Sequence, residues 1–568
     1  MKKPSFIAKL LSLSLLILSS ATVNGSGKEK FDLLIINGSV MDGTGNPAVQ
    51  ADIGIRDGKI VAVGNLEQKS AAKKIINAEG LIVAPGFIDI HCHAYDPVSG
   101  PDSWKGKNEK RFFAPNFVSQ GITTLVCNQC GHGPLSIAKQ KKRLAEHRIG
   151  PNAMLMIGHN RIRFQVMGND YKRKATKEEI EKMCLYVRKA MEDGAAGLST
   201  GLEYEPAIWS DTEELIALVK EIVPFGGVYM PHERASGKDP MWYLPSMDMP
   251  AQPTILDHIA ETIEIAERTG VRAVLTHLKF KGTLFWGCSG AAVNMVNRAR
   301  SRGVDIWADC YVYNTTGTDG NTVLIPHWAL GGGGPQWAPI NNPLKGLKNT
   351  LNDPDKVKKM RMDIKHEIER RGGAENIVVM DYPDTSLIGR TIAEIARENN
   401  ISSVDVAIKL QLEGYKNRAG GARLRGYSLS ETDIDVIIKQ PWTATCTDAS
   451  ISLMTDGPVH ARFYGGFPRK IKRFVLDRHI ISLEHAIRSM TSLPAQILGL
   501  RHRGMIREGF YADIVIFDLK RIRDAATQFN PHQYAQGIEY VFVNGTAVVE
   551  GGELTWKLPG VVISHHKK

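Results

Sequence analysis

The stretch Pro85-Gly86-Phe87-Ile88-Asp89-Ile90-His91-Cys92-His93 runs from an apolar segment into two histidines. Side chains two residues apart on a strand point to the same side, so His91 and His93 can bind one metal ion together. Two histidines at a strand end can instead be held by hydrogen bonds alone. The apolar residues before them favour a buried strand that ends at a metal site.

Further short apolar strands follow this one, separated by helical stretches. This alternation is typical of a parallel sheet with crossover helices. Most of the strands end in a polar or metal-capable residue, as expected where barrel active sites lie. We therefore predict an α/β fold with a (β/α)8 TIM-type barrel. Its predicted strands are Gly86–His91, Thr123–Cys130, Ala153–Gly158, Gly197–Thr200, Val228–His232, Ala273–His277, Asp305–Asp309 and Ala444–Asp448.

Both ends of the chain have the pattern of β-hairpins. Asp57-Gly58 and Asn544-Gly545 each lie between two short apolar runs, which is a strong hairpin signal. We predict one small β-sandwich domain built from both termini, and an insertion before the last barrel strand. The predicted ranges are 26–84 and 491–568 for the β-sandwich, 85–490 for the barrel and about 315–440 for the insertion.

The N-terminus and the composition bound the class of protein. Lys2 and Lys3 precede a Leu-rich run, Ile7–Leu18, that is too short to span a bilayer. We predict that residues 1–25 are a signal peptide and that the protein is exported, periplasmic or secreted, with no stable membrane insertion after cleavage; a retained anchor is the alternative.

The net charge of +11 is modest for 568 residues, and basic runs interleaved with aromatics are absent from the sequence. Nucleic acid is therefore not an expected partner.

Three later strands also end in metal-capable residues. His232 ends the fifth predicted strand, His277 the sixth and Asp448 the eighth. A carboxylate in that position can bind a metal and shuttle a proton between water and a leaving amine. A lone histidine is usually structural, and Asp448 could instead cap a helix. Histidines at the ends of three barrel strands nevertheless favour a metal site.

These motifs resemble those of the amidohydrolase superfamily and, within it, the N-acyl-D-amino-acid deacylase (D-aminoacylase) family. The resemblance covers about residues 30 to 560. It rests on the PGFIDIHCH stretch, Gly158-His159 followed by Arg163, the run Gly194–Tyr204, His232-x-Arg234, His277-x-Lys279 and Met490–Ala495.

The resemblance implies one or two Zn²⁺ ions. Many relatives in the superfamily bridge two metals with a carbamylated lysine on the fourth barrel strand, but Ala196–Thr200 contains no lysine. A cysteine thiolate can fill that gap, although a free thiol is the alternative. The implied ligands are Cys130, His232 and His277 in a tight site, and His91, His93 and Asp448 in a weaker site.

The resemblance also implies the reaction and the substrate contacts. We expect hydrolysis of the amide bond of N-acyl-D-amino acids, small molecules that yield a carboxylic acid and a D-amino acid, with Asp448 as the catalytic residue. Positive groups suit the substrate carboxylate because it needs charge-assisted donors, although surface salt bridges would use the same residues. The implied substrate-binding residues are Tyr204, Lys279, Arg462, His159 and Arg163.

The sequence departs from the family pattern near the substrate. Thr447-Asp448-Ala449 stands for the usual Ser-Asp-Gly, Tyr311-Val312-Tyr313 for Tyr-Pro-Tyr, and Gly317 for a serine. A cyclic-amide hydrolase of the dihydroorotase or hydantoinase type, an isopeptide dipeptidase and a binding protein on an inactive scaffold are the alternatives. No oligomeric state is predicted.

Overall fold

The computed structural model describes residues 31–66, 72–95, 103–317, 322–332 and 340–565. The predicted signal peptide, residues 1–25, lies outside these ranges. Within them, every helix is too short or too polar to cross a membrane.

The described residues form strands β1–β20 and helices α1–α15, numbered in chain order. The strands are β1 Phe31–Val40, β2 Val49–Arg56, β3 Lys59–Gly64, β4 Ala72–Asn77, β5 Ile82–Pro85, β6 Phe87–Asp89, β7 Ile122–Cys127, β8 Asn152–Leu155, β9 Ile157–Gly158, β10 Gly197–Gly201, β11 Val228–His232, β12 Arg272–Leu275, β13 Ile306–Cys310, β14 Ile377–Asp381, β15 Arg423–Gly426, β16 Thr443–Thr445, β17 Ile514–Phe517, β18 Ile538–Val543, β19 Thr546–Glu550 and β20 Glu553–Leu554. The helices are α1 Pro115–Val118, α2 Ile137–His147, α3 His159–Met167, α4 Lys177–Glu192, α5 Thr212–Ile222, α6 Ile255–Thr269, α7 Ser289–Ser301, α8 Pro343–Leu351, α9 Pro354–Arg370, α10 Ile392–Asn399, α11 Ser403–Glu413, α12 Glu431–Ile438, α13 Arg462–Arg469, α14 Leu483–Met490 and α15 Ser492–Leu498.

The predicted barrel is present. Strands β6–β8 form one parallel sheet, and β9–β13 with β16 form a second. The third predicted strand is divided at Met156 into β8 and β9. Backbone hydrogen bonds join the last strand to the first: Asp448 N–H donates to His91 O (3.0 Å), and His93 N–H donates to Ala449 O (2.8 Å). Strands such as β7 and β11 are buried throughout, as expected for a parallel sheet covered by helices.

The two ends of the chain share one nine-stranded sheet. Strand β5 pairs in parallel with β1 and antiparallel with β17, which joins the N-terminal and C-terminal strands. The predicted hairpins β2–β3 and β18–β19 are present, with Asp57 at φ 51° and Asn544 at φ 49° in their turns. The strands predicted as a sandwich are therefore hydrogen-bonded into a single sheet around a common core, which includes Ile35 and Ile514.

The segment before the last barrel strand carries a separate hydrophobic core. Helices α8–α11 and the antiparallel pair β14–β15 pack around this core. Asp363 on α9 fixes the segment to the loop after β11, because its carboxylate accepts hydrogen bonds from Ser246 N–H (2.9 Å) and Ser246 Oγ–H (2.6 Å). The insertion is thereby held against the barrel loops.

The helix α3 residues His159 and Arg163 are buried in an ion cluster with Glu214 of α5. His159 Nε2 lies 2.7 Å from Glu214 Oε1, and Arg163 Nη1 contacts Glu214 Oε2. Burial alone would raise the pKa of Glu214, but His159 and Arg163 hold it below its usual value. His159 and Arg163 thus fix α3 to α5, and their predicted contact with substrate stays a prediction.

We expect Glu214→Gln to destabilise the fold by about 3–5 kcal/mol at pH 7, because it leaves the buried Arg163 charge without its partner. Urea denaturation measures the free energy of unfolding. The depressed pKa means that the Glu214 carboxylate stabilises the fold above its unfolded value of 4.5, so the deficit should narrow below that pH. Glu213→Gln on the exposed side of α5 is the matched control and should leave stability nearly unchanged. An equal loss in both variants would contradict the role of the cluster.

Candidate active site

Six metal-capable side chains meet at the end of the barrel where the strands finish. All are at least nine-tenths buried by residue, which is unusual for so many ionisable groups unless they are paired or bind a metal. They are His91 and His93 after β6, Cys130 after β7, His232 at the end of β11, His277 after β12 and Asp448 after β16.

Cys130 lies at the centre of this cluster. Its Sγ is 3.4 Å from His232 Nδ1, 3.5 Å from His91 Nε2, 3.7 Å from His277 Nε2 and 3.8 Å from His93 Nε2. The thiol belongs to two groups of three side chains whose ligand atoms all lie within 4.8 Å of one another. In one group its partners are His91 and His93, after β6. In the other they are His232, at the end of β11, and His277, after β12.

Asp448 lies on the other side of the cluster. Its Oδ1 is 3.1 Å from His93 Nε2 and 3.7 Å from His91 Nε2, and its Oδ2 accepts a hydrogen bond from Arg462 Nη1 (2.9 Å). Burial opposes ionisation, but Arg462 and the histidines hold the pKa of Asp448 well below its usual value. The side chain is therefore a carboxylate at neutral pH.

Three of these residues have left-handed backbones, with φ of 55° at Cys130, 35° at His277 and 51° at Asp448. Non-glycine residues adopt this conformation at a cost and are enriched at functional sites. Hydrogen bonds hold them: His277 N–H donates to Asp309 Oδ1 (2.6 Å), for example. The chain thus bends at the strand ends to aim these side chains inward.

Buried carboxylates lie behind two of the histidines. Glu203 Oε2 is 3.3 Å from His232 Nε2, and Glu233 Oε2 is 2.9 Å from His277 Nδ1. Metal-binding histidines almost always direct the second ring nitrogen at such a group, which fixes the tautomer. The sequence analysis did not single out Glu203 or Glu233, although the position of Glu233 directly after His232 was a visible signal.

The donor set fits a zinc ion. Imidazole, thiolate and carboxylate are the ligands that Zn²⁺ takes in proteins. Burial, reinforced by Asp448 and Glu233, raises the pKa of the Cys130 thiol, so its thiolate form needs a cation beside it. Burial and neighbouring His277 lower the pKa of His91, which keeps that imidazole neutral as ligation requires.

A cavity of about 680 Å³ opens over the cluster. Of the residues predicted to bind substrate, Tyr204, Lys279 and Arg462 line this cavity, whereas His159 and Arg163 do not. Lys279 Nζ lies 2.8 Å from His277 Nδ1 and contacts Glu233.

Tyr311 also lines this cavity, and the sequence analysis did not assign it a role. Its hydroxyl is buried and has no hydrogen-bond partner within the described part of the chain. The Arg462 guanidinium lies 4.8 Å from the centre of its ring. Tyr311, Lys279 and Arg462 therefore present an unused hydroxyl and two cations to one wall of the cavity.

The insertion and the loop after β11 also contribute to the cavity lining. Its apolar lining includes Met241, Leu244, Val323–Pro326, Leu330 and Ile340. Gly317 is also part of the lining. The cavity thus combines a polar floor with an apolar wall.

Comparison with known proteins identifies the family. A model described as "Amidohydrolase family" matches residues 360–549. The D-aminoacylase of Alcaligenes xylosoxydans xylosoxydans is 30% identical over 95% of this chain and 99% of its own length. The N-acyl-D-glutamate deacylase of the same organism is 29% identical over 92% of this chain and 94% of its own.

A solved relative supports the same assignment. The N-acyl-D-glutamate deacylase of Bordetella bronchiseptica, solved with zinc and a phosphonate mimic of the tetrahedral intermediate, is 26% identical and has a TM-score of 0.70; the match covers 94% of this chain and 100% of that one. The fold, the buried ligand cluster and the near full-length identity agree. The chain belongs to the D-aminoacylase family of the amidohydrolases and is a metal-dependent hydrolase of amide bonds.

Proposed function

We propose that this protein is a zinc-dependent deacylase that hydrolyses N-acyl-D-amino acids to a carboxylic acid and a free D-amino acid. One observation carries the proposal: a buried cluster of zinc-type ligands shares a cavity with an unused hydroxyl and two cations suited to a carboxylate. The family relatives named above act on N-acyl-D-amino acids, which supports the D-configuration.

The ligand assignment follows the two faces of the cluster. Cys130, His232 and His277 would hold one ion, and His91, His93 and Asp448 a second, weaker one; Cys130 Sγ lies within reach of all four histidines. Zinc bound there would supply Lewis-acid polarisation of the scissile carbonyl and would lower the pKa of water toward ~7.

Asp448 provides the proton transfer. As a carboxylate it accepts a proton from the attacking water and returns it to the departing nitrogen. Arg462 holds Asp448 Oδ2, which leaves Oδ1 facing the histidines. The hydrogen bond to Arg462 thus fixes the direction from which the carboxylate acts.

The hydroxyl and cations favour an amino-acid moiety over a hydantoin ring. Lys279, Tyr311 and Arg462 can donate charge-assisted or neutral hydrogen bonds to one α-carboxylate. A hydantoin carries no carboxylate and would leave the buried Tyr311 hydroxyl without a hydrogen-bond partner, which is costly. A linear N-acyl amino acid satisfies these donors.

The first test measures bound zinc and amine release from N-acetyl-D- and N-acetyl-L-amino acids. We expect release from the D-substrates. Asp448→Asn should retain zinc at the Cys130 site and lose turnover by about 10²–10⁴-fold, because it removes the proton-transfer group. Cys130→Ala should lose zinc.

Cys127→Ala is the matched control, because Cys127 is buried nearby but does not contact the histidine cluster within the described residues. It should retain both zinc and turnover. Full activity of Asp448→Asn would reject its catalytic role. Zinc binding with turnover of cyclic amides alone would favour a hydantoinase-type enzyme, and hydrolysis of isopeptides alone would favour a dipeptidase.

Tyr311→Phe tests the carboxylate contact. We expect KM for N-acetyl-D-amino acids to rise about tenfold with a smaller change in kcat, because one hydrogen bond to a charged group is lost. Tyr313→Phe is the control, since Tyr313 does not line the cavity. Equal effects of the two substitutions on KM would contradict the contact.

We also propose that the protein is exported, on the basis of the basic and apolar N-terminal segment. Fractionation of cells that make the full chain should place activity in the periplasm or the medium. Removal of residues 1–25 should retain it in the cytoplasm. Cytoplasmic activity of the full chain would reject the proposal.

A further inference from the structure

Two further basic residues, Lys281 and Arg371, line the cavity besides Lys279 and Arg462. Lys281 follows Lys279 by two residues in the loop after β12 and is only 7% exposed. Its backbone N–H donates to Ser236 O (2.8 Å), and the backbone of Gly282 donates to Ser428 O (2.9 Å). The loop is therefore fixed, and Lys281 lies between the barrel and the insertion.

Lys281 has no counter-ion in the part of the chain that the structure describes. Among the described residues its ammonium group makes no hydrogen bond, and no carboxylate lies within 4.0 Å of it, although a lysine this buried is almost always paired. The charged groups that act on it most are Arg371, Arg370, Glu367 and Glu203. All except Arg370 line the cavity, which places the Lys281 side chain toward the cavity as well.

The two nearby carboxylates, Glu367 and Glu203, already have other partners. Glu367 accepts from Arg371 Nε (2.6 Å) and Arg370 Nε (2.9 Å). Glu203 is bound to His232 Nε2 (3.3 Å) and accepts from Ser236 Oγ (3.1 Å) and from a backbone N–H (2.8 Å). Lys281 thus lies beside acids that other groups satisfy.

Arg371 has spare donors at the same place. Only its Nε is used, on Glu367, so its two terminal nitrogens make no hydrogen bond to the described residues. Lys281, Arg370 and Arg371 therefore bring three basic groups near the single carboxylate of Glu367. Burial, with Arg371 and Arg370 close by, holds the pKa of Lys281 well below its usual value. An anion placed there would favour the charged ammonium.

We propose that Lys281 and Arg371 form a second anion subsite, which binds a carboxylate on the substrate in addition to the α-carboxylate. The inference rests on the proposed deacylase function and specifies its substrate class: N-acyl-D-amino acids with two carboxylates. An ammonium and a guanidinium with free donors are the groups that recognise a carboxylate most strongly. The apolar wall around Leu244 and Ile325 accommodates the methylene groups of the same substrate.

The second carboxylate can be carried by the acyl group or by the side chain. The two sources share one chemistry, and matched substrate pairs separate them. N-succinyl-D-leucine against its terminal amide tests the acyl source. N-acetyl-D-glutamate against N-acetyl-D-glutamine tests the side-chain source. Within each pair only the charge changes, so size and shape are controlled.

The test compares kcat and KM of the zinc-loaded full chain with those of Lys281→Met. For at least one pair we expect wild type to prefer the carboxylate at least tenfold in kcat/KM. Lys281→Met should raise KM for that carboxylate at least tenfold and change KM for the amide less than twofold. Lys281→Arg should retain the preference. Lys238 is an exposed lysine on a nearby loop. Lys238→Met therefore controls for long-range charge and should change neither KM for the carboxylate nor KM for the amide.

Failure of the subsite and failure of the deacylase function are distinguishable. Turnover of the amides without preference for either carboxylate, or an equal effect of Lys281→Met on both members of a pair, would overturn the subsite alone. If no linear substrate is turned over, the subsite is tested by calorimetry, which compares the affinities of the protein for glutarate and for its monoamide. Tighter binding of glutarate that is lost in Lys281→Met supports the subsite, and equal binding of the two compounds rejects it.

Discussion

The active-site cluster depends on the hydrogen bonds that close the barrel. Asp448 N–H donates to His91 O, and His93 N–H donates to Ala449 O, so the last strand is fixed against the first. Asp89 strengthens this junction, because its carboxylate accepts from the Thr447 hydroxyl (2.5 Å) and from Thr447 N–H (3.0 Å). Because of these bonds, residues far apart in the chain reach one ion-sized space.

Burial then determines how these side chains behave. Four imidazoles, a thiol and a carboxylate removed from water are stable together only if each has a partner. Glu203 and Glu233 partner two histidines, and Arg462 partners Asp448. The thiol of Cys130, with its raised pKa, has no such cationic partner in direct contact among the described residues and depends on a metal to become a thiolate.

The insertion determines what the cavity can accept. The barrel contributes Lys279, Tyr311 and the ligand cluster, while α9 and the residues after it contribute Glu367 and Arg371. Barrel active sites commonly vary in their loops while the strand ends keep the chemistry. Here the strand ends hold the ligand cluster, and the insertion supplies part of the wall of the same cavity.

The sequence by itself determined the strands and the metal-capable residues at their ends. Strand periodicity is local, so apolar runs that stop at a histidine or an aspartate reveal both the element and its functional end. The hairpins at Asp57 and Asn544 were predictable for the same reason, since their turns require left-handed backbone.

The tertiary structure alone decided which polar side chains face the cavity. His159 and Arg163 belong to a recognisable motif, but they turn toward Glu214, which is 55 positions beyond His159. Lys281 and Arg371 line one cavity because the insertion packs on the loop after β12. Which charged groups pair depends on their distance in space and on their burial. The local sequence pattern gives neither quantity.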